Sequence, residues 1–321
     1  MTRPILLLLL AVAVLGFAHL LTPVAPLAEL QRHAPDTAQL LLVEIRLPRT
    51  LLVLGYGFVL GMTGAALQAL FGNPLASPDV TGSSSGAALG TVFAAYWLGA
   101  TQPLILAAAG AAGALAALAV MVLLAGRRAE TTTMLLAGIA IALAAGAGTS
   151  LLLALAPSPF AFYDSFDWLM GSFVDRSLPQ AAVALIPAFA CCAILASRSR
   201  PLDLIALGED VLASLGYDPR RLALQVIVLS SIAIGACVSV CGAIGFVGLL
   251  APYAARRLSR GHPGRALVPA GLIGSLLLLI ADIAVRFGPP GRTIPVGILT
   301  TVAGTPLFIW IVVTMRRRVT S

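Results

Sequence analysis

Apolar stretches close to the length of a bilayer-spanning helix recur from one end of this 321-residue chain to the other. Such a helix needs about 20 consecutive apolar residues. Charged residues make up only 10% of the chain, too few to cover a soluble protein of this size. The sequence therefore predicts an all-α polytopic membrane protein, a single domain over 1–321 with about ten transmembrane helices. The predicted spans are 4–22, 50–71, 80–98, 103–125, 132–156, 179–197, 222–243, 246–258, 266–285 and 296–314, of which 246–258 is short.

The distribution of arginine predicts the orientation. All 20 basic residues are arginine. With both termini in the cytoplasm, all but six of them fall in cytoplasmic segments, as the positive-inside rule expects. The net charge of +7 is thus a topology signal and indicates no nucleic-acid partner, because the arginines form no basic face. The six external arginines are Arg32, Arg46, Arg49, Arg176, Arg286 and Arg292.

The first apolar run follows Arg3 and resembles a signal peptide. It is longer than the usual apolar region of such a peptide and lacks a small-residue cleavage site before the next charge. We therefore expect it to be retained as the first span.

Glycines recur at helical spacing in two of the predicted spans. Such spacing lets helix backbones approach closely in lipid, where packing drives association. Close packing is the favoured interpretation, and a pathway lined by small residues is the alternative. The glycines are Gly57, Gly61 and Gly64 in one span and Gly82, Gly86 and Gly90 in the next.

Two loops have an unusual composition for a membrane protein. In residues 72–79, two prolines interrupt the apolar pattern, and Asp79 is placed to cap the following helix. In the cytoplasmic loop at about 199–221, residues 207–216 have the pattern of a short amphipathic helix ended by Gly216. Such a helix either offers a surface to a cytoplasmic partner or lies on the lipid interface.

Catalytic and metal-binding patterns are weak. Residues 82–86 match G-x-S-x-G around Ser84, but that motif needs a strand-to-helix turn and a nearby histidine, and here it opens a membrane helix. A chain without lysine cannot hold a P-loop, so it is not the ATPase of that kind. The four cysteines lie in apolar stretches with no histidine or carboxylate beside them, which predicts no metal site, cofactor or disulfide framework.

Asp282 is the clearest carboxylate within a span. Carboxylates inside a membrane are candidates for proton relays, which keeps a proton-coupled carrier open as a rival function. Arg286 lies one helical turn later, so a structural ion pair is the favoured interpretation.

Several sequence blocks, in order from Arg46 to Trp310, resemble the FecCD family of ABC importer permeases, which carry iron-siderophores, heme and cobalamin. The blocks are RLPR at 46–49, GAALQ at 64–68, NPLASP at 73–78, GSSSGAALG at 82–90, LAGIA at 136–140, WLMGS at 168–172, LGED at 207–210 with SLG at 214–216, GAIGFVG at 242–248, AD at 281–282 with Arg286, and PVG at 295–297 with GTPLF at 304–308.

The resemblance implies a cobalamin-permease-like type II ABC importer fold in the bacterial inner membrane. It also implies a second permease subunit, identical or paralogous, two cytoplasmic ABC ATPase subunits, and a periplasmic or lipid-anchored substrate-binding protein. Transport would be ATP-driven, with hydrolysis by the partner. An iron-siderophore is the first expected cargo, and heme, cobalamin and oxyanions such as molybdate stay open.

The resemblance also implies residue roles. Coupling to the ATPase falls on Leu207, Gly208, Glu209, Ser214, Leu215 and Gly216. Docking of the binding protein falls on Arg46, Arg49 and Arg292, and the cytoplasmic gate on Asn73, Leu75, Thr131 and Thr132. The chain departs from many relatives at Tyr253, where they carry histidine, and at Ile294, where they often carry an acidic residue.

Overall fold

The computed structural model describes residues 2–126, 131–156, 165, 168–288 and 294–319, and it contains no β-strand among them. Its helices are numbered here in chain order. They are α1 (Thr2–Leu21), α2 (Val24–His33), α3 (Pro35–Leu40), α4 (Leu47–Leu70), α5 (Ser83–Val92), α6 (Pro103–Ala125), α7 (Thr131–Ala154), α8 (Leu178–Ser197), α9 (Ser199–Leu204), α10 (Glu209–Ser214), α11 (Pro219–Cys241), α12 (Val247–Leu258), α13 (Leu267–Arg286) and α14 (Val296–Val319).

Every predicted span overlaps one of these helices, so the prediction of an all-α polytopic protein is confirmed. In the described part of the chain, seven helical segments are long and apolar enough to cross a membrane by themselves. The predicted short span is confirmed as well, because α12 has 12 residues. Helix α5 is also short, extended only by a π-helical turn at Phe93–Trp97.

The segment between the first two spans is more helical than predicted. A π-helical turn at Leu41–Arg46 joins α3 to α4, giving one helix from Pro35 to Leu70. Pro35 occupies the first turn of α3, where the missing N–H would be unpaired in any case. Helices α2 and α3 have 10 and 6 residues, too few to appear in a search for apolar runs of about 20.

The prediction that Asp79 caps the next helix is wrong. Helix α5 begins four residues later, at Ser83, and no side chain caps it. Its N-cap is Gly82, which has a left-handed φ of +78°. The backbone N–H of Ser83 donates to Pro78 O at 3.1 Å, so the proline-containing turn delays the start of the helix.

Helix α4 lies at the centre of the described structure. Most of its residues are buried, and it packs against α8, α11, α12 and α13. By contrast, α1 exposes Leu7 and Leu10 by more than 60%, as expected of a helix that faces lipid.

Glycine permits the close contacts of α4, as the helical spacing predicts. A Cβ atom on Gly57 would lie 2.5 Å from Gly274 O of α13. Gly61 is even closer to Ala270 O of α13, and Gly64 to Gly248 O of α12. These carbonyls belong to the backbone, so they could move away only if a whole helix moved.

We expect Gly61→Ala to separate α4 from α13, because its methyl group would overlap the carbonyl of Ala270. Overpacking of this kind costs about 1–3 kcal/mol. The check is the midpoint of thermal aggregation of the detergent-purified protein. Gly16→Ala is the matched control, because its methyl group would only touch a flexible leucine at 3.4 Å. Equal midpoints for the two variants would contradict the packing described above.

Candidate functional site

A buried carboxylate ties α1, α4 and α13 together at the end of the bundle that the topology places outside. Arg49 of α4 forms a two-point contact with Asp282 of α13, from Nε to Oδ2 and from Nη2 to Oδ1, both at 2.9 Å. Arg286 Nε donates to Oδ2 at 3.2 Å, which is the ion pair predicted from the spacing. His19 of α1 completes the set, with its Nε2 in hydrogen-bonding contact with Oδ2 at 2.7 Å.

Arg286 of this cluster and the neighbouring Arg46 cap the C-terminus of α1. The last carbonyls of a helix have no partner inside the helix and carry partial negative charge. Arg46 donates to Leu21 O at 2.7 Å and to Pro23 O at 3.0 Å. Arg286 donates to His19 O at 2.8 Å and to Thr22 O at 2.6 Å. Arg46 and Arg286 therefore supply hydrogen-bond donors to the carbonyls at the end of α1, and Arg286 also pairs with Asp282.

This arrangement decides how accessible the predicted docking arginines are. Arg46 is only 7% exposed, and its terminal nitrogens are committed to carbonyls. The side chain of Arg49 is 18% exposed, and its Nη1 makes no contact with Asp282. Arg292 lies outside the described residues. Of the two described positions, Arg49 is the one that can meet a partner.

His19 was missed by sequence reasoning, although it is fully buried in this cluster. It stands inside an apolar run that was interpreted only as a first span. A polar residue inside a span needs a hydrogen-bonding partner, so the position of His19 in this apolar run could have indicated a contact with another helix. The partner, 263 positions away, could not be identified from local pattern.

The segment 199–216, which is predicted to be cytoplasmic, contains a shorter helix than the sequence predicts. A 3₁₀ turn covers Ile205–Leu207, and α10 starts only after Gly208, whose φ of +112° breaks the helical path. Gly216, with a φ of +83°, lies just beyond the C-terminus as predicted. Leu212 is fully buried, whereas Leu207 and Leu215 are 67% and 56% exposed.

This segment is anchored to the loop that precedes α13. Asp203 Oδ1 accepts a hydrogen bond from Gly264 N at 2.8 Å, and Asp203 also lies 3.8 Å from Arg265. A side chain on Gly264 would overlap the carbonyl of Ser199. The contacts of Asp203 thus hold in place the segment that exposes Leu207 and Leu215.

The predicted gate residues lie in the proline-containing loop after α4 and at the start of α7. Asn73 Oδ1 accepts from Leu75 N at 2.8 Å, which folds the loop into an Asx turn. Both residues are partly buried. Thr131 and Thr132 belong to the first turn of α7, and their side chains lie outside the described atoms.

The hydrolase interpretation of Ser84 finds no support in the geometry. Its Oγ is buried and is near the carboxyl group of Asp79 rather than a histidine. Of the three histidines, His19 is bound to Asp282 and Thr50, and His33 to Glu29 O. Neither contact prepares a serine for nucleophilic attack.

The fold, the ion cluster and the cytoplasmic segment together define a polytopic permease. Comparison with known proteins then gives the family: the chain belongs to the FecCD transport family, whose model matches residues 5–314. It is a membrane-spanning permease subunit of a bacterial ABC importer, located in the inner membrane, and not the catalytic subunit. Such a subunit works with an ATPase and a substrate-binding protein.

Curated relatives and solved structures agree with that assignment. The vitamin B12 import system permease BtuC of Citrobacter koseri is 36% identical over 286 residues, which cover 87% of this chain and 84% of that protein. BtuC of Salmonella typhimurium is also 36% identical, with 87% and 85% covered. A transporter assigned to the metal-chelate type, solved in an inward-facing conformation, has a TM-score of 0.83 at 27% identity and covers 98% of this chain and 100% of its own. PsaBC of Streptococcus pneumoniae shares the fold at a TM-score of 0.53.

We expect Asp282→Asn to destabilise the subunit strongly, because Arg49 and Arg286 would keep their charges without a counter-ion. Removing one partner of a buried pair costs about 3–5 kcal/mol. The check is the thermal midpoint in detergent. Asp218→Asn is the control, because Asp218 pairs with Arg221 in the open and asparagine preserves its cap on α11. If both variants melt together, Asp282 has no structural role.

Proposed function

We propose that this chain forms the path by which an iron-siderophore or a related metal chelate enters the cytoplasm. The observation that carries the proposal is the likeness to the metal-chelate type transporter, which extends over nearly the whole of both chains. The absence of a histidine, cysteine and carboxylate cluster among the described residues fits a cargo that travels with its metal already enclosed.

Cobalamin is the second candidate cargo. It is favoured by the vitamin B12 permeases, which are 36% identical to this chain. Cobalamin is itself a metal chelate, so the two candidates share a mechanism and differ in the binding protein that delivers them. Heme and oxyanions have weaker support because the names of the similar proteins given above mention neither.

The proposed mechanism assigns roles to the two ends of the subunit. Two copies, or this chain and a paralogue, would surround the path, with two ATPase subunits below and a periplasmic or lipid-anchored binding protein above. The binding protein would dock near Arg49 and Arg292. Closure of the ATPases would move α10, and the gate at Asn73, Leu75, Thr131 and Thr132 would respond.

The exposed apolar residues on either side of α10 support the proposed ATPase contact. Leu207 and Leu215 project from a polar cytoplasmic loop that Asp203 holds in place. Glu209 and Ser214 lie at the two ends of the same helix. An anchored apolar surface of this kind suits a protein partner, because exposed apolar patches rimmed by polar residues mark protein–protein or membrane interaction sites.

Cargo is tested by uptake of radioiron-labelled siderophore, labelled cobalamin and labelled heme, in cells lacking the gene and in the same cells restored. We expect the deletion to abolish siderophore uptake and the restored gene to recover it. Loss of cobalamin uptake alone would select the second candidate. Unchanged uptake of all three would overturn the metal-chelate proposal.

Coupling is tested with the double variant Leu207→Asn, Leu215→Asn. We expect the ATPase subunits to bind about tenfold more weakly, because two apolar contacts are lost. Co-purification of the ATPase with the tagged permease measures this. Leu98→Asn is the control, an equally exposed leucine (68%) at the opposite end of the bundle. Normal co-purification would overturn the proposed ATPase contact and favour a segment that lies on the lipid interface.

A further inference from the structure

A cavity of about 220 Å³ with both polar and apolar lining residues lies among the ends of α5, α6, α8 and α11 that the predicted topology places outside. It is far from the Asp282 cluster in the chain and takes no part in the mechanism proposed above. Its volume is below the roughly 300–1,000 Å³ of ordinary ligand pockets. It can hold a small group, but not a siderophore or cobalamin. Its polar lining is Thr91, Tyr96, Ser165, Arg176, Gln180 and Ser239.

Arg176 supplies the charge of this cavity. Its Nε is buried and has no hydrogen-bond partner, and Arg176 forms no ion pair with any carboxylate in the described structure. A buried, unpaired guanidinium donor is costly unless an anion binds it. The guanidinium group matches the oxygens of phosphate or carboxylate.

The neighbouring groups also favour an anion. Helix α8 begins at Leu178, so the positive end of its dipole lies beside Arg176. Gln180 Oε1 accepts from Ser177 N at 3.0 Å, so its amide nitrogen keeps its protons for another acceptor. Ser165, which is 2.6 Å from Tyr96 Oη, adds a hydroxyl group.

The surroundings of the cavity select a lipid as the source of that anion. Leu104 directly follows the lining residue Pro103, and Leu98 lies two positions after the lining residue Tyr96. Both leucines are 68% exposed, and Trp97 is 44% exposed. Tyr96 and Trp168 of the lining are aromatic, and such residues are enriched at the level of lipid headgroups. Acyl chains can lie against exposed apolar side chains of these helices while a phosphate enters the cavity.

We propose that this cavity binds the headgroup of an anionic phospholipid, with the phosphate held by Arg176. The lipid joins α5, α6, α8 and α11 at their outer ends. The site is independent of which cargo is carried, so its test does not depend on uptake.

The test is native mass spectrometry of the full-length permease purified with its partner subunits and supplied with phosphatidylglycerol or phosphatidylethanolamine. We expect bound phosphatidylglycerol to fall about tenfold in Arg176→Gln. Arg176→Lys keeps a charge and should retain most of it. Arg32→Gln is the control, an exposed external arginine away from the cavity lining, and it should bind as the wild type does.

A second variant tests the cavity without changing its charge. Ala95→Phe places a ring in the lining, so lipid binding should fall while Arg176 is intact. Inorganic phosphate is added in a parallel arm. The proposal is overturned if Arg176→Gln and Arg32→Gln bind equal amounts of phosphatidylglycerol, if Ala95→Phe binds normally, or if millimolar phosphate displaces the lipid completely. Unchanged elution on gel filtration shows that each variant is folded.

Discussion

Helix α4 can occupy the centre of the bundle only because glycines remove the side chains between its backbone and its neighbours. In lipid there is little hydrophobic drive between helices, so association depends on close packing. Gly57 and Gly61 let α13 approach, and Gly64 does the same for α12. The approach of α13 is what brings Asp282 within reach of Arg49, so the glycine contacts and the ion cluster are parts of one arrangement.

The ion cluster shows how charge is tolerated in this position. A carboxylate away from water is costly unless it is paired and hydrogen-bonded. Asp282 accepts hydrogen bonds from two arginines and contacts His19, and the excess positive charge is offset by carbonyls at the end of α1. A proton carrier would need a carboxylate that is free to release and accept protons. Asp282 is held by fixed charges instead, which agrees with a structural role and with an importer driven by ATP elsewhere.

The sequence predicted those features that depend on one local pattern. Apolar runs located the long helices, and spacing at i and i+4 located the pair of Asp282 and Arg286. It did not predict the part played by Arg49, because that contact joins positions 233 residues apart. Gly208 was read as part of a helix, although its φ of +112° separates two short helices. Local patterns do not encode which helices become neighbours, and long-range pairs follow from that choice.

The anchoring of α10 has a consequence for coupling. Asp203 fixes the segment to the loop before α13, and α13 packs on α4 over much of its length. A force applied at Leu207 or Leu215 is therefore passed to packed helices, which have low compressibility. Residues 242–246 form a non-helical joint between α11 and α12, and Gly242 and Phe246 both have a positive φ there. Phenylalanine rarely adopts that conformation, which costs about 1–3 kcal/mol and persists only where the surrounding structure enforces it. Phe246 packs edge-on against Phe308 of α14, so a change at this joint would reach α14 directly.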